Sequence, residues 1–208
     1  MQALLPFVVF IIAVYAQAEY TPDNYPNPRR GGFKECKMRS ASNVCDPEET
    51  LTESERYRIN AELTKFSKTT EEGGNTFCTR KGTDVIFVIV QEASPEFAKH
   101  LREKWEMDRQ CGRNGILVLS VNDRNLYASF DSRSPISDDK AQAVIASTDE
   151  LFKTGSYTSA VVQILKQLGA RDDLYSNTTK RPVDNEKSAS PFSIMLTIVV
   201  AVSYLRLF

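Results

Sequence analysis

Two short apolar runs constrain this chain more than any other feature: V-I-F-V-I-V at residues 85–90 and I-L-V-L-S-V at 116–121. Both are rich in β-branched residues and too continuous for a strand with one wet face. They read as central strands covered on both sides. Between them, Ser94-Pro95 supplies an N-cap and a proline at the first helical position. Phe97, Leu101 and Trp105, spaced by four, then carry a helix to about residue 109. A buried strand, a helix and a second buried strand make a βαβ unit, with the strands parallel and the crossover right-handed. The second run continues through the polar turn N-D-R-N at 122–125 into the alternating L-Y-A-S-F of 126–130. That is a hairpin adding an antiparallel strand, and a lone hairpin needs cover.

The cover is legible on either side. Residues 44–47 (V-C-D-P) suit a short edge strand ending in a turn. Thr52 and Glu55 form a capping box that opens a first helix, in which Ile59, Leu63 and Phe66 make one apolar stripe. Gly73-Gly74-Asn75 marks the break beyond it. Ser137 caps a third helix with Ala141, Val144, Ile145, Thr148, Leu151 and Phe152 on its apolar half, ending at Gly155. A fourth spans 157–168 and stops at Gly169. The expected class is α/β: a small mixed βαββ sheet flanked by four helices.

Both ends of the chain read differently. Residues 1–18 hold an apolar run and the small-x-small ending Ala16-Gln17-Ala18, the pattern of a signal peptide cleaved before Glu19. Residues 192–208 form an apolar stretch with one charge, Arg206, reaching roughly 25 Å at about 1.5 Å per residue. Two anchors fit it: a retained span, giving a single-pass type I cell-membrane protein with its domain outward, or the removed tail of a GPI signal. Residues 19–43, with prolines at 22, 26 and 28, read as an extended Pro/Gly-rich lead-in. Residues 44–169 form the extracellular domain, and 170–191 a polar stalk carrying the glycosylation sequon Asn177-Thr178-Thr179.

All charged residues except Arg206 lie between the two apolar ends, 25 basic against 27 acidic, with no basic cluster. Nucleic acid is therefore not an expected partner. The four cysteines, Cys36, Cys45, Cys78 and Cys111, form no C-x-x-C, and in an exported domain they read as two disulfides. Cys78 and Cys111 each precede one of the two buried strands. If those strands are parallel neighbours, that brings the pair together and leaves Cys36 with Cys45; crossed pairings stay open.

The residues offer little for catalysis. The single histidine, His100, sits on a charged helix face with no nucleophile or orienting partner. Neither G-x-S-x-G, a Walker loop nor H-E-x-x-H occurs. Asp123 in the hairpin turn, Asp131 after its second strand, and Asp138 and Asp139 at the start of the third helix are weak candidates for holding Ca²⁺ or Mg²⁺ should they converge. Their simpler roles are turn formation and helix N-terminal charge. Trp105 reads as core, and Tyr25, Tyr127 and Phe130 as packing residues or an aromatic patch. No catalytic residue or cofactor is assigned.

The motifs in this order resemble the TPM domain: Leu51-Thr52-x-x-Glu55, the 85–90 strand, the helix ending in Trp105, Asn114-Gly115 before an apolar run, Asp123-Arg124, and Phe152-Lys153-x-Gly155-x-Tyr157. The flanks, Tyr25-Pro26-Asn27-Pro28, Val44-Cys45-Asp46-Pro47, the paired cysteines and the apolar ends, resemble the nematode branch of that group, the modulator of levamisole receptor family. The resemblance implies a TPM-type α/β/α sandwich with a C-terminal membrane anchor. It also implies a non-enzymatic auxiliary protein of acetylcholine-gated cation channels, partnered by channel subunits and membrane. The alternatives are an exported metal-dependent phosphatase-like hydrolase, since some TPM domains are described as phosphatases, and a GPI-anchored surface interaction module. One departure stands out. Where other TPM domains carry a Gly-rich V-G-x-G, this chain reads S-F-D-S-R-S at 129–134.

Overall fold

The computed structural model describes residues 19–170. The signal peptide, the rest of the stalk with Asn177, and the apolar segment 192–208 lie outside the described residues. In chain order the elements are β1 (Val44–Cys45), α1 (Glu53–Thr69), α2 (Phe77–Arg80), β2 (Asp84–Val90), α3 (Pro95–Trp105), β3 (Asn114–Ser120), β4 (Asn125–Phe130), α4 (Asp138–Ala146), α5 (Asp149–Lys153) and α6 (Tyr157–Leu168). One sheet runs in the order β1-β2-β3-β4. Its first three strands are parallel, and β4 returns antiparallel to β3.

Side chains alternate across the strands and sort into two cores. On one face Val85, Phe87, Ile89, Leu117, Leu119, Leu126 and Phe130 pack under α1, α4, α5 and α6 through Ile59, Leu63, Ile145, Phe152 and Ile164. On the other, Ile86, Val88, Val90, Ile116 and Val118 pack under α3 through Ala98, Leu101 and Trp105. The fold is thus an α/β/α sandwich. Each fully buried aliphatic side chain contributes about 1.5–3 kcal/mol relative to exposure, which is why the two continuous runs at 85–90 and 116–121 occupy the centre. Gly115 is dictated by packing: a Cβ there would lie 2.3 Å from Cδ1 of Phe130.

The helices start where the caps put them. Thr52 Oγ1 accepts from Glu55 N (3.4 Å), while Glu55 Oε2 accepts from Thr52 N (2.9 Å). Ser94 and Ser137 cap α3 and α4 by the one-way bond alone, their hydroxyls accepting from the amides of Phe97 and Lys140. Their ends differ from expectation. α3 stops at Trp105 rather than 109, since Glu106 and Asp108 adopt left-handed φ values of 48° and 46°. Asp108 then gathers the amides of Arg113 (2.9 Å) and Cys111 (3.4 Å), turning the chain into β3.

The expected third helix is two helices. Ser147 Oγ donates to Val144 O (2.6 Å) and Thr148 Oγ1 to Ile145 O (2.8 Å), so hydroxyls occupy carbonyls at the α4 terminus and a new helix starts at Asp149. With the one-turn α2, the described residues form six helices around the sheet instead of the expected four. Cys78 on α2 bonds Cys111 before β3, with Cα atoms 5.2 Å apart; Cys36 bonds Cys45 of β1, at 4.3 Å.

The lead-in is not extended. Residues 21–38 fold through successive turns, and Tyr25, Cys36 and Met38 enter the core beneath β2 and α3. Arg29 ties the segment down, its guanidinium reaching both carboxylate oxygens of Asp84 (2.5 and 2.6 Å) and Asn43 Oδ1. Domain and lead-in share one core, because Tyr25 and the disulfide give this proline-rich stretch something to bury.

Candidate functional site

The four carboxylates named from sequence do not share a site. Asp123 lies in the turn before β4, whereas Asp131 and Asp138 lie beyond its far end; six residues of strand put about 20 Å between the two groups. Asp123 Oδ2 accepts from Tyr127 Oη (2.8 Å) and Asn125 Nδ2 (3.3 Å). Burial pushes its pKa up, but hydrogen bonds from Ser120, Tyr127 and Asn125 outweigh that and hold it below the ordinary carboxylate value. Asp131 is likewise held low, chiefly by the Arg133 side chain, and pairs with Arg133 (3.1 Å) and Arg102 (3.6 Å). Asp138 Oδ1 accepts from Phe130 N (2.6 Å). Asp139 is exposed in the first turn of α4. Among the described residues no group of three or more His, Cys, Asp and Glu side chains is placed to hold a metal ion.

The stretch 129–134 is filled by side chains. Arg102 Nε donates to Ser129 Oγ (3.1 Å), and Arg133 packs against Gly112 while pairing with Asp131. Bare backbone is therefore not presented there. His100 is exposed on α3. The three aromatics separate: Tyr25 and Phe130 are buried in opposite cores, and Tyr127 is half-buried with its hydroxyl on Asp123.

A different place gathers polar groups. In open α/β sheets a crevice forms outside the carboxyl ends of parallel strands. Here that crevice is a cavity of about 240 Å³ lined by Glu19, Tyr20, Glu48, Val90, Gln91, Glu92 and Asn122. Its floor is fixed by backbone: Val121 N donates to Val90 O (3.0 Å) and Asn122 N to Gln91 O (2.9 Å). Gln91 Nε2 donates to Glu48 Oε2. Tyr20 forms a wall, its ring edge-on to Tyr25 at 5.3 Å. Burial raises the Tyr20 phenol pKa, and the negative charges of Glu48 and Glu35 raise it further. Three carboxylates beside an aromatic ring suit a cationic side chain of a partner. Sequence reading missed this cleft. Glu19, Glu48 and Glu92 are far apart in the chain, and only the folding-back of the lead-in joins them.

A model of the family described as modulator of levamisole receptor-1 matches residues 20–124. Among solved structures, the N-terminal domain of a protein from P. gingivalis is 15% identical with a TM-score of 0.54, the match covering 73% of this chain and 90% of that one. At that identity the likeness bears on the fold alone, and it supports the α/β/α arrangement. The N-terminal domain of a Corynebacterium glutamicum protein matches at 11% identity, 72% and 88% coverage and a TM-score of 0.46. The BA42 protein of Bizionia argentinensis matches at 18%, 60% and 82%, with 0.47. No curated protein matches the chain.

Proposed function

The chain belongs to the modulator of levamisole receptor-1 family, and we propose on that premise that it is a non-catalytic auxiliary modulator of a levamisole-sensitive, acetylcholine-gated cation channel. The carrying observation is the extent of the family match. Residues 20–124 contain the lead-in, all four cysteines, β1 to β3 and every residue of the carboxyl-edge cleft except Glu19. The matched stretch thus includes the lead-in together with the part of the sheet it covers.

The domain acts outside the cell, held by residues 192–208 as a single span or through a GPI anchor, with Asn177 glycosylated on the stalk. Two disulfides support an oxidising compartment. Among the described residues no helix is long and apolar enough to cross a membrane; the proposed anchor is the apolar sequence 192–208. The acidic cleft is the proposed contact for a basic channel surface.

The test is co-expression of the full chain with levamisole-sensitive receptor subunits, recording agonist-evoked current and recovering subunits by affinity purification. Altered current together with co-purification is the expected result. A Glu48→Gln, Glu92→Gln double variant should weaken recovery at least several-fold while leaving surface expression intact. Unchanged current and no recovered subunit would remove the proposal.

A further inference from the structure

We propose that the free edge of β4 accepts an extended segment of a partner protein as a fifth strand, with one apolar side chain of that segment seated between β4 and α4–α5. The ladder pattern defines the edge. Val121 N donates to Val90 O, so the odd-numbered residues of β3 bond toward β2 and the even-numbered ones toward β4. Asp131 N donates to Asn114 O in agreement. Tyr127 and Ser129 therefore bond β3, and the N–H and C=O of Leu126, Ala128 and Phe130 point away from the sheet. Phe130 N is taken by Asp138 Oδ1. Among the described residues none bonds the outward groups of Leu126 or Ala128. Two donors and two acceptors in strand geometry select an extended main chain.

Apart from Asp138 at its far end, the edge lacks two usual protections. β4 contains neither proline nor a charged residue. Beside it lies a groove of about 330 Å³, lined by Leu126, Gln142, Ile145, Ala146, Asp149 and Phe152 among others. Side chains of an added strand alternate, so one of them falls over this groove. An apolar side chain fits its floor, with Gln142 and Asp149 at the rim. A second copy of this chain fits poorly. Its own β4 side chains on that face, Leu126 and Phe130, are 2% and 5% exposed and committed to their own core, which leaves nothing to fill the groove. The inference concerns main-chain recognition of an extended segment of another protein, with an apolar side chain at the position over the groove.

The experiment uses the full chain in detergent and an acetylated, amidated octapeptide of alternating Thr and Leu as the probe. Hydrogen exchange is read at the amides of β4. The expected result is at least tenfold slower exchange at Leu126 and Ala128 with saturating peptide, and none with the same peptide N-methylated at alternate positions. Ala128→Pro deletes an outward donor at an edge position that tolerates proline, and it should weaken binding at least tenfold. The proposal is overturned by unchanged exchange at saturation, or by Ala128→Pro binding as well as the parent. It is equally overturned if the two amides are already protected without peptide: protection rising with chain concentration would assign the edge to a second copy, and concentration-independent protection to this chain's own terminal segment.

Discussion

The two edges of the sheet are treated in opposite ways. At β1 the outward groups are answered: Ser42 Oγ accepts from Val44 N (3.4 Å) and donates to Val44 O (2.9 Å), and Asp46 N donates to Cys36 O (3.4 Å), while on the β2 side the Tyr25 hydroxyl lies 3.1 Å from Cys45 O. The same hydroxyl also stands in for strand that β1 lacks, donating to Ile89 O (2.7 Å) and accepting from Ile89 N (3.2 Å). At β4 the outward groups of Leu126 and Ala128 have no such partners among the described residues. The difference teaches that the lead-in functions as an edge cover, permitting a two-residue strand to end the sheet. No equivalent segment among the described residues serves the other side.

Removing the closed edge's buried charge pair should have the largest effect. Asp46, fully buried, accepts from Thr50 N (3.0 Å), Leu51 N (2.9 Å) and Arg56 Nη1 (3.3 Å), joining β1 to the start of α1. Asp46→Ala leaves the buried Arg56 guanidinium only Leu51 O and the exposed Glu49 carboxylate (3.6 Å), and also frees the amides of Thr50 and Leu51; it is expected to cost about 3 kcal/mol, measured by urea unfolding. A loss under about 1 kcal/mol would mean the pair is not what closes that edge.

Next comes Tyr25→Phe, which orphans both main-chain groups of Ile89 and should cost about 1–3 kcal/mol. The Tyr25 phenol pKa is pushed well above its ordinary 10.0, mainly by burial. The folded value exceeds the unfolded one, so this contribution is fully present below about pH 10 and lost as pH rises toward the folded value. Parent protein should therefore destabilise in alkali more steeply than the Phe variant; equal slopes would contradict the assignment.

The smallest effect belongs to the open edge. Asp138→Ala frees Phe130 N, which Asp138 covers at the end of the β4 edge, and should cost about 1 kcal/mol. Its sharper signature is faster hydrogen exchange at Phe130 with Tyr127 and Ser129 unchanged. Exchange rising along all of β4 would show that Asp138 holds the strand itself rather than capping its edge.

Much of the fold was legible because its signals are local. The runs at 85–90 and 116–121, the Thr52–Glu55 box and the caps at Ser94 and Ser137 lie within a few residues of what they specify. The misses share a cause as well. α2 has four residues and no period to read. Ser147 and Thr148 interrupt α4 through hydroxyl bonds that compete with a sound apolar stripe. In sequence the acidic candidates lie within 17 residues of one another, yet the strand between Asp123 and Asp131 holds them apart. The cleft went unread because its three glutamates come from three segments of the chain.

By itself the sequence determined the strands, most helix starts and the parallel βαβ core, since apolar pattern and caps act over a single element. Only the tertiary structure decided where the lead-in goes and which edge is closed. Those outcomes rest on contacts such as Tyr25 to Ile89, 64 residues apart, where a tyrosine in a proline-rich stretch is a loop residue until a carbonyl arrives beside its hydroxyl.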